Sequence, residues 1–270
     1  MLKALFAATA ALAWTGQAAP PAPAIQLHAF ECGKLQEDLS WYNDAFAFDG
    51  QKREFVAGCF LIRHPKGLLL WDTGLTPDLI GKPAPEQSLT TRISDRLKSL
   101  GLTPAAVTHV GISHYHPDHT GGARDFPHAE LLIGARDWDA VKGFKDDDDR
   151  AVPLAHWRSG TGKVRVVARD LDIFGDGSVQ MLAMPGHTPG HAALLVKLPR
   201  TGAVLLSGDE YHFRENRALR GVPKFNTSRA ETLASHDRFE EIAKVLKAKV
   251  IIQHDARDLA LLPAFPKAAE

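Results

Sequence analysis

Short apolar runs separated by turn residues dominate the chain from residue 25 onward. Runs of this length, bounded by Gly, Pro and charged residues, predict β-strands rather than long helices. The predicted strands cover residues 25–31, 55–64, 68–71, 107–113, 131–133, 164–167, 171–174, 179–183, 192–198, 203–206 and 250–253. They fall into two β-rich halves.

Helical spacing of apolar residues marks three further segments, at residues 88–100, 136–141 and 230–246. The residues expected on their inner faces are Leu89, Ile93, Leu97 and Leu100 in the first segment, and Leu233, Phe239, Ile242 and Leu246 in the last. Residues 144–162 are polar and irregular, and the Asp146–Asp149 run within them predicts a solvated loop. Because helices follow each β-rich half and no Gly/Ser linker intervenes, we expect one α+β domain over residues 20–270, layered helix, sheet, sheet, helix.

The first nineteen residues have the pattern of a secretory signal peptide. Lys3 supplies one positive charge, residues 4–14 are apolar, and small residues follow as far as Ala19. The apolar run is shorter than the roughly 20 residues that a membrane-spanning helix needs. Residues 1–19 are therefore predicted to direct export to the periplasm or outside the cell, and no membrane span is expected.

Export changes the interpretation of the two cysteines, Cys32 and Cys59. Each is associated with a strand-like run, and neither has a Cys-x-x-Cys metal spacing. In an oxidising compartment they can pair as a structural disulfide. The alternative is two separately buried thiols, since free Cys packs like an apolar residue. The sequence leaves both open, because it does not show whether the Cα atoms come within the ~7 Å that a disulfide requires.

Charge and composition narrow the classes of function. Among the 270 residues, 32 Lys and Arg balance 32 Asp and Glu, so the formal net charge is zero. Nucleic-acid-binding proteins normally carry a basic excess or a basic stripe, so no nucleic-acid partner is expected. The 13 histidines direct attention to metal binding instead, because imidazole is the commonest metal-ligating side chain.

A dense group of metal-ligating side chains follows the predicted strand at residues 107–113. It reads His114-Tyr115-His116-Pro117-Asp118-His119. Imidazole and carboxylate together suit Zn²⁺ and related metals. Further candidates also follow strand-like runs, namely His187, His191, Asp209 and His254. Because functional groups are commonly held in the loops at strand ends, these positions predict one shared site.

These residues resemble the metallo-β-lactamase fold superfamily. The resemblance rests on five features of the sequence, namely the His-x-His-x-Asp-His segment, residues 186–191, Asp209, His254 and the early segment 72–74. The resemblance implies a four-layer αββα sandwich and two divalent metal ions, with Zn²⁺ as the expected metal. It assigns His114, His116 and His187 to one ion, Asp118, His119 and His254 to the other, and Asp209 to both. Asp72 then has a structural role, and His191 orients ligands or packs in the core.

Within the superfamily, the chain is most similar to the N-acyl homoserine lactonase family. Residues 59–67, 70–74, 207–212 and 214–217 carry this second resemblance. It implies ring opening of N-acyl homoserine lactones by a hydroxide that bridges the two metal ions. Asp118 would orient the nucleophile and pass a proton to the leaving oxygen. The family places a substrate-facing Tyr three residues after the bridging Asp, whereas this chain has His212 there, preceded by Tyr211, so either residue is a candidate oxyanion donor.

Other functions are compatible with the same scaffold. Hydrolysis of β-lactams or of general carboxylic esters would use the same dimetal site. A mononuclear iron sulfur-dioxygenase would bind one iron through fewer ligands. A non-catalytic metal-binding module is disfavoured, because structural metal sites are normally closed and rich in Cys.

Two groups outside the metal motifs have open interpretations. The aromatic residues Trp41, Tyr42, Phe46 and Phe48 either form a lid or wall for an acyl chain or pack in the core. The basic residues Arg214, Arg217, Arg220 and Lys224 either lie on a rim loop or belong to the solvated surface. The expected partner is a small lactone or ester, and both a monomer and a dimer remain open.

Overall fold

The computed structural model describes residues 25–270, so the predicted signal peptide at residues 1–19 lies outside the described part. The strands are β1 (Gln26–Asp38), β2 (Lys52–His64), β3 (Gly67–Trp71), β4 (Gln87–Ser88), β5 (His109–Gly111), β6 (Glu130–Gly134), β7 (Val164–Val167), β8 (Leu171–Asp172), β9 (Val179–Ala183), β10 (Ala192–Leu198), β11 (Gly202–Leu206) and β12 (Lys249–Ile251). The α-helices are α1 (Ile93–Ser99), α2 (Pro117–Thr120), α3 (Ala135–Gly143), α4 (Ala155–Arg158), α5 (Arg214–Ala218), α6 (Arg229–Val245) and α7 (Ala256–Leu259).

Seven strands form the first sheet, in the order β4-β1-β2-β3-β5-β6-β7. The pairs β4–β1, β1–β2 and β2–β3 are antiparallel, whereas β3, β5, β6 and β7 run parallel to one another. Parallel strands end at the same edge of a sheet. The segments that leave β3 and β5 therefore emerge side by side, and both carry predicted site residues.

Five strands form the second sheet, in the order β12-β11-β10-β9-β8. All its neighbours are antiparallel except β11 and β12, which run parallel. Side chains alternate across this sheet, as the period of an extended chain requires. Along β10, Leu194 and Val196 pack between the two sheets, while Leu195 packs on the other face with Phe239 of α6.

Three apolar clusters define four layers. The first fills the space between the sheets and includes Trp71 and Leu206. The second joins the outer face of the first sheet to α1, α3 and α4. The third joins the outer face of the second sheet to α6. The predicted α+β four-layer αββα sandwich, the metallo-β-lactamase fold, is therefore confirmed.

Some predicted helical features differ from the structure. The first predicted helix begins at Ile93 rather than at residue 88, because Ser88 instead pairs with Lys34 of β1. The stretch predicted to be irregular contains α4, where Trp157 is fully buried in the core. Residues 146–149, predicted as a solvated loop, lie outside the helices and strands.

The inner face of α6 is also more polar than its apolar periodicity predicts. Leu246 was expected to face inward but is 38% exposed, whereas Ser235 and His236 are buried. Ser235 Oγ donates to the carbonyl of Pro185, and His236 Nε2 bonds the carbonyl of Glu210. This part of the helix packs against polar loops rather than against the sheet, so its buried residues are hydrogen-bonding ones.

A disulfide joins Cys32 in β1 to Cys59 in β2, with the Cα atoms 5.9 Å apart. It lies where the register of β1 on β2 shifts between Glu31 and Lys34. The structure thus resolves the alternatives for the two cysteines in favour of pairing. Within residues 25–270 no helix has the length and apolar character needed to cross a bilayer.

Candidate metal centre

The His-rich segment follows β5 and enters α2. Pro117 occupies the first helical position, where its missing N–H costs no hydrogen bond. The carbonyl of His116 accepts from the N–H of His119 and from that of Thr120, which closes the turn. This turn directs His114 and His116 to one side, and Asp118 and His119 to the other.

Three histidines converge in the first cluster. Nε2 of His114 lies 2.9 Å from Nδ1 of His116 and 3.1 Å from Nε2 of His187. Nε2 of His187 lies 3.1 Å from Nδ1 of His116. These residues come from two loops more than 70 positions apart in the chain, and the fold brings the three nitrogens to the corners of a small triangle.

His187 is placed by a glycine that accepts an unusual backbone conformation. Gly186 has φ 140°, and a Cβ atom there would lie 2.3 Å from the backbone nitrogen of Thr232. The loop therefore lies against the start of α6. On the other side of the ring, Nδ1 of His187 bonds Oδ1 of Asn226 at 2.9 Å. No motif singles out Asn226 in the sequence, although such a partner fixes the ring's tautomer.

A second cluster contains Asp118, His119 and His254. The Nε2 atoms of His119 and His254 lie 3.1 Å apart. Oδ2 of Asp118 is 3.6 Å from the first of these nitrogens and 3.4 Å from the second. Both imidazoles are buried, while the Asp118 side chain keeps 20% of its surface exposed. Asp118 is therefore the most accessible member of this cluster.

Asp209 lies between the two clusters, with one oxygen toward each. Oδ2 is 3.5 Å from Nε2 of His114 and 3.2 Å from Nε2 of His187. Oδ1 is 3.1 Å from Nε2 of His119 and 2.9 Å from Nε2 of His254. A carboxylate in this position can ligate two cations at once.

Hydrogen bonds to the ring nitrogens that face away from the clusters leave the inner nitrogens free to bind a cation. Nδ1 of His254 donates to the carbonyl of Val56 at 2.9 Å, and Nδ1 of His119 donates to Oδ2 of Asp72 at 2.9 Å. With a proton at Nδ1, each neutral ring presents a lone pair at Nε2. Bare nitrogens about 3 Å apart repel one another unless a cation lies between them. Ligand nitrogens 2.0–2.1 Å from a tetrahedral Zn²⁺ would be roughly 3.3 Å apart, close to the spacing here.

The pKa values agree with a site built for positive charge. Burial, together with neighbouring imidazoles, lowers the pKa of His116 to about 3 and holds that of His114 well below its usual range. Both rings are thus neutral at pH 7, as metal ligands must be. In the second cluster burial opposes charge on His119, yet the carboxylates of Asp209, Asp118 and Asp72 raise its pKa well above its usual value. The residues fit a divalent metal centre.

A buried network around Asp72 supports the second cluster. Oδ2 of Asp72 accepts from Nε2 of Gln253 at 2.8 Å as well as from His119, and Oδ1 accepts from the N–H of Ser113 at 2.7 Å. Asp72 is fully buried and contributes no atom to either cluster. The buried position agrees with the structural role expected for Asp72. No motif marks Gln253 in the sequence, although it directly precedes the candidate ligand His254.

His191 orients rather than ligates. Its Nδ1 bonds the carbonyl of Met184 at 2.9 Å, and its Nε2 accepts from the N–H of Asp209 at 2.9 Å. Both ring nitrogens are therefore occupied, and the ring fixes the backbone that carries Asp209. The other six histidines, His28, His64, His109, His128, His156 and His236, lie outside both clusters.

His212 and Tyr211 point in opposite directions, because the backbone at Tyr211 is extended. Nε2 of His212 bonds Oδ2 of Asp209 at 3.0 Å, and its ring stacks on His254. Tyr211 instead stacks on His236 and lines a separate cleft with Arg217. The structure thus brings His212, but not Tyr211, to the metal-ligating residues.

A cavity of about 570 Å³ opens above the two clusters. Its lining includes metal-ligating candidates and apolar residues, among them His116, Asp118, Asp209, His254, Leu35, Phe55, Leu75, Val152 and Phe225. Of the four aromatic residues considered as a lid, Tyr42 lines this cavity and Phe48 packs in a small core cluster. Trp41 and Phe46 are 59% and 66% exposed.

Three of the four basic residues considered for a rim loop lie away from the metal cavity. Arg214, Arg217 and Arg220 line the separate cleft that contains Tyr211. Each pairs with a carboxylate, as does Lys224, which lies 3.7 Å from Asp49. Because each of them is paired with a carboxylate, the four residues belong to the solvated surface rather than to a rim of the metal cavity.

Sequence and structure comparisons identify relatives that span nearly the whole chain. Residues 54–254 match the Metallo-beta-lactamase superfamily. The N-acyl homoserine lactonase AttM of Azorhizobium caulinodans is 31% identical over 240 residues, covering 82% of this chain and 88% of AttM. The N-acyl homoserine lactonase AiiA of Bacillus thuringiensis subsp. kurstaki is 25% identical over 254 residues, covering 90% of this chain and 98% of AiiA. A crystal structure of a quorum-quenching N-acyl homoserine lactone lactonase has a TM-score of 0.78 at 25% identity, covering 91% of this chain and 98% of that one. This chain therefore belongs to the metallo-β-lactamase superfamily and, within it, to the family of the N-acyl homoserine lactonases.

Proposed function

We propose that this protein is a metal-dependent hydrolase that opens the lactone ring of N-acyl homoserine lactones. The observation that carries the proposal is Asp209, whose two oxygens face two separate ligand clusters at the base of a largely apolar cavity. A site of this kind suits a neutral ester that carries an apolar tail. The relatives that cover most of the chain are named for this activity.

We also propose that two divalent ions occupy the clusters, and that both are Zn²⁺. His114, His116 and His187 would hold one ion, Asp118, His119 and His254 the other, and Asp209 both. Four-coordinate N and O donor sets are typical of zinc. Such ions supply Lewis acidity and a nucleophilic water at neutral pH.

Residues of the chain would supply proton transfer, ligand orientation and acyl-chain binding. Asp118 is the more accessible of the two carboxylates in the clusters, so it can take a proton from the attacking water and return it to the ring oxygen that leaves. His212 bonds Asp209 and thereby orients the shared carboxylate. Leu35, Phe55 and Phe225 offer the apolar wall against which an acyl chain can pack.

Proton release on mixing with a long-chain N-acyl homoserine lactone tests the proposal directly. We expect rapid ring opening by the metal-loaded protein and loss of turnover in His116→Ala. His128→Ala is the matched control, since His128 is exposed and lies outside both clusters. A β-lactam assayed in parallel separates the substrate classes. Faster β-lactam than lactone turnover, with metal content verified, would refute the lactonase proposal.

We further propose that the protein works in the periplasm or outside the cell. The disulfide between Cys32 and Cys59 supports this, because such bonds persist mainly in oxidising compartments. Fractionation of cells that express the full chain tests the location. Recovery of the protein in the cytoplasm with residues 1–19 still attached would overturn it.

A further inference from the structure

Glu37 places a carboxylate in the wall of the metal cavity. It lies near the end of β1 and lines the cavity together with Asp118 and Asp209. Across the strand pair its neighbour is Arg53, but the Arg53 guanidinium bonds Glu215 and covers the ring of Phe213. Within residues 25–270, Glu37 forms no ion pair.

Tyr42 lines the same cavity as this carboxylate. Burial and the neighbouring Glu37 carboxylate raise the pKa of the Tyr42 hydroxyl well above its usual value. The ring packs edge-on against Phe55, His212 and Phe225, with ring centroids 5.1, 4.7 and 5.4 Å away. The backbone is also anchored, because Nδ2 of Asn216 donates to the carbonyl of Tyr42 at 2.7 Å. Tyr42 is therefore a rigid support rather than a mobile lid.

The pair leaves an unused acceptor that faces the cavity. A carboxylate offers about four lone-pair positions, and one hydroxyl hydrogen can fill only one of them. The one cationic side chain among the residues that line this cavity, Arg124, bonds Asp78 instead. A half-buried carboxylate of this kind gains most from a ligand that brings an N–H donor, because charge-assisted hydrogen bonds are the stronger ones.

We propose that Glu37 accepts a hydrogen bond from the amide N–H of an N-acyl lactone, and that Tyr42 positions Glu37 for this contact. The inference rests on the proposed lactonase function and deepens it, because Glu37 would favour substrates that carry an amide N–H. A lactone with a plain alkyl chain has no such donor. Glu37 would therefore distinguish N-acyl homoserine lactones from alkyl lactones of equal length.

Paired substrates test this assignment. We expect Glu37→Leu to lower kcat/KM for an N-acyl homoserine lactone by about 10- to 100-fold, and to change turnover of a γ-alkyl lactone by less than about 2-fold. Glu37→Gln keeps an acceptor oxygen, so it should restore part of the loss. Equal losses on both substrates, or no loss on the amide substrate, would overturn the proposal.

Tyr42→Phe separates positioning from packing, since it keeps the ring and removes the hydroxyl. We expect a smaller loss confined to the amide substrate, and no further loss when it is combined with Glu37→Leu. Tyr211→Phe is the matched comparison, because Tyr211 lines the separate cleft. An additive double variant, or an equal loss from Tyr211→Phe, would contradict the positioning role.

Calorimetry with the ring-opened N-acyl homoserine keeps the two proposals distinguishable. If the wild type binds this amide but opens no lactone, the proposed function fails, and a weaker dissociation constant in Glu37→Leu still supports the contact. If Glu37→Leu binds as tightly as the wild type, the contact fails whatever the turnover. If the wild type opens the lactone but does not bind the ring-opened amide, the lactonase proposal stands and the Glu37 contact fails.

Discussion

Replacement of Asp72 by Asn isolates the contribution of one buried acceptor to the metal centre. Asp72 has φ 54°, a left-handed conformation that Asn tolerates as readily as Asp. The substitution therefore leaves the backbone unstrained and removes one acceptor oxygen. Asp72 accepts three hydrogen bonds, from Ser113, His119 and Gln253, at 2.7, 2.9 and 2.8 Å.

The better of the two Asn orientations keeps its oxygen toward His119 and Gln253. Its NH₂ group then faces the N–H of Ser113, so one buried donor loses its partner, at a cost of about 1–3 kcal/mol. The opposite orientation leaves both His119 and Gln253 without an acceptor. In the better orientation His119 keeps an acceptor, but a neutral amide oxygen replaces the carboxylate that supports its tautomer, so we expect metal affinity to fall by about 10-fold.

Urea unfolding of the metal-free variant measures the stability loss, and titration against a competing chelator measures metal affinity. Asp139→Asn is a suitable control, because Asp139 is 71% exposed and its pair with Lys142 is a surface one. We expect that change to stay within about 0.5 kcal/mol. If Asp72→Asn matches the control in both assays, the network around Asp72 does not support the metal centre.

Three further predictions concern other parts of the molecule. Burial lowers the pKa of His236 to about 4, whereas in the unfolded chain this residue takes up a proton near pH 6.5, so stability should fall as the pH drops from 6.5 toward 4. His236→Gln should remove up to roughly 3 kcal/mol of the difference in unfolding free energy between pH 7 and pH 4.5, measured by urea unfolding. An unchanged pH slope would refute this prediction. Loss of the disulfide in the double variant Cys32→Ala, Cys59→Ala should lower unfolding free energy by about 3.5 kcal/mol, given the sequence separation of 27 residues, and a reductant should then no longer affect stability. Asp209→Asn should reduce bound metal, measured by elemental analysis, and lower lactone kcat/KM by about 100-fold or more, whereas full metal content with full turnover would exclude a shared-ligand role.

The sequence by itself determined most of the architecture and the candidate ligands. Apolar runs with strand length identified the two sheets, because an extended chain buried on both faces must be apolar almost throughout. The ligating residues follow strand ends, where loops meet at one edge of each sheet, so their order along the chain predicted a common site. His114, Asp209 and His254 lie in one centre although they are far apart in sequence.

Only the tertiary structure decided which neighbours act together. Tyr211 and His212 are adjacent in sequence. The extended backbone at Tyr211 directs His212 to the metal cavity and Tyr211 to a separate cleft. No motif marks Glu37, and only the fold shows that it lines the metal cavity together with Tyr42. Such pairings depend on distances between elements that are remote in the chain, and local pattern contains no information about those distances.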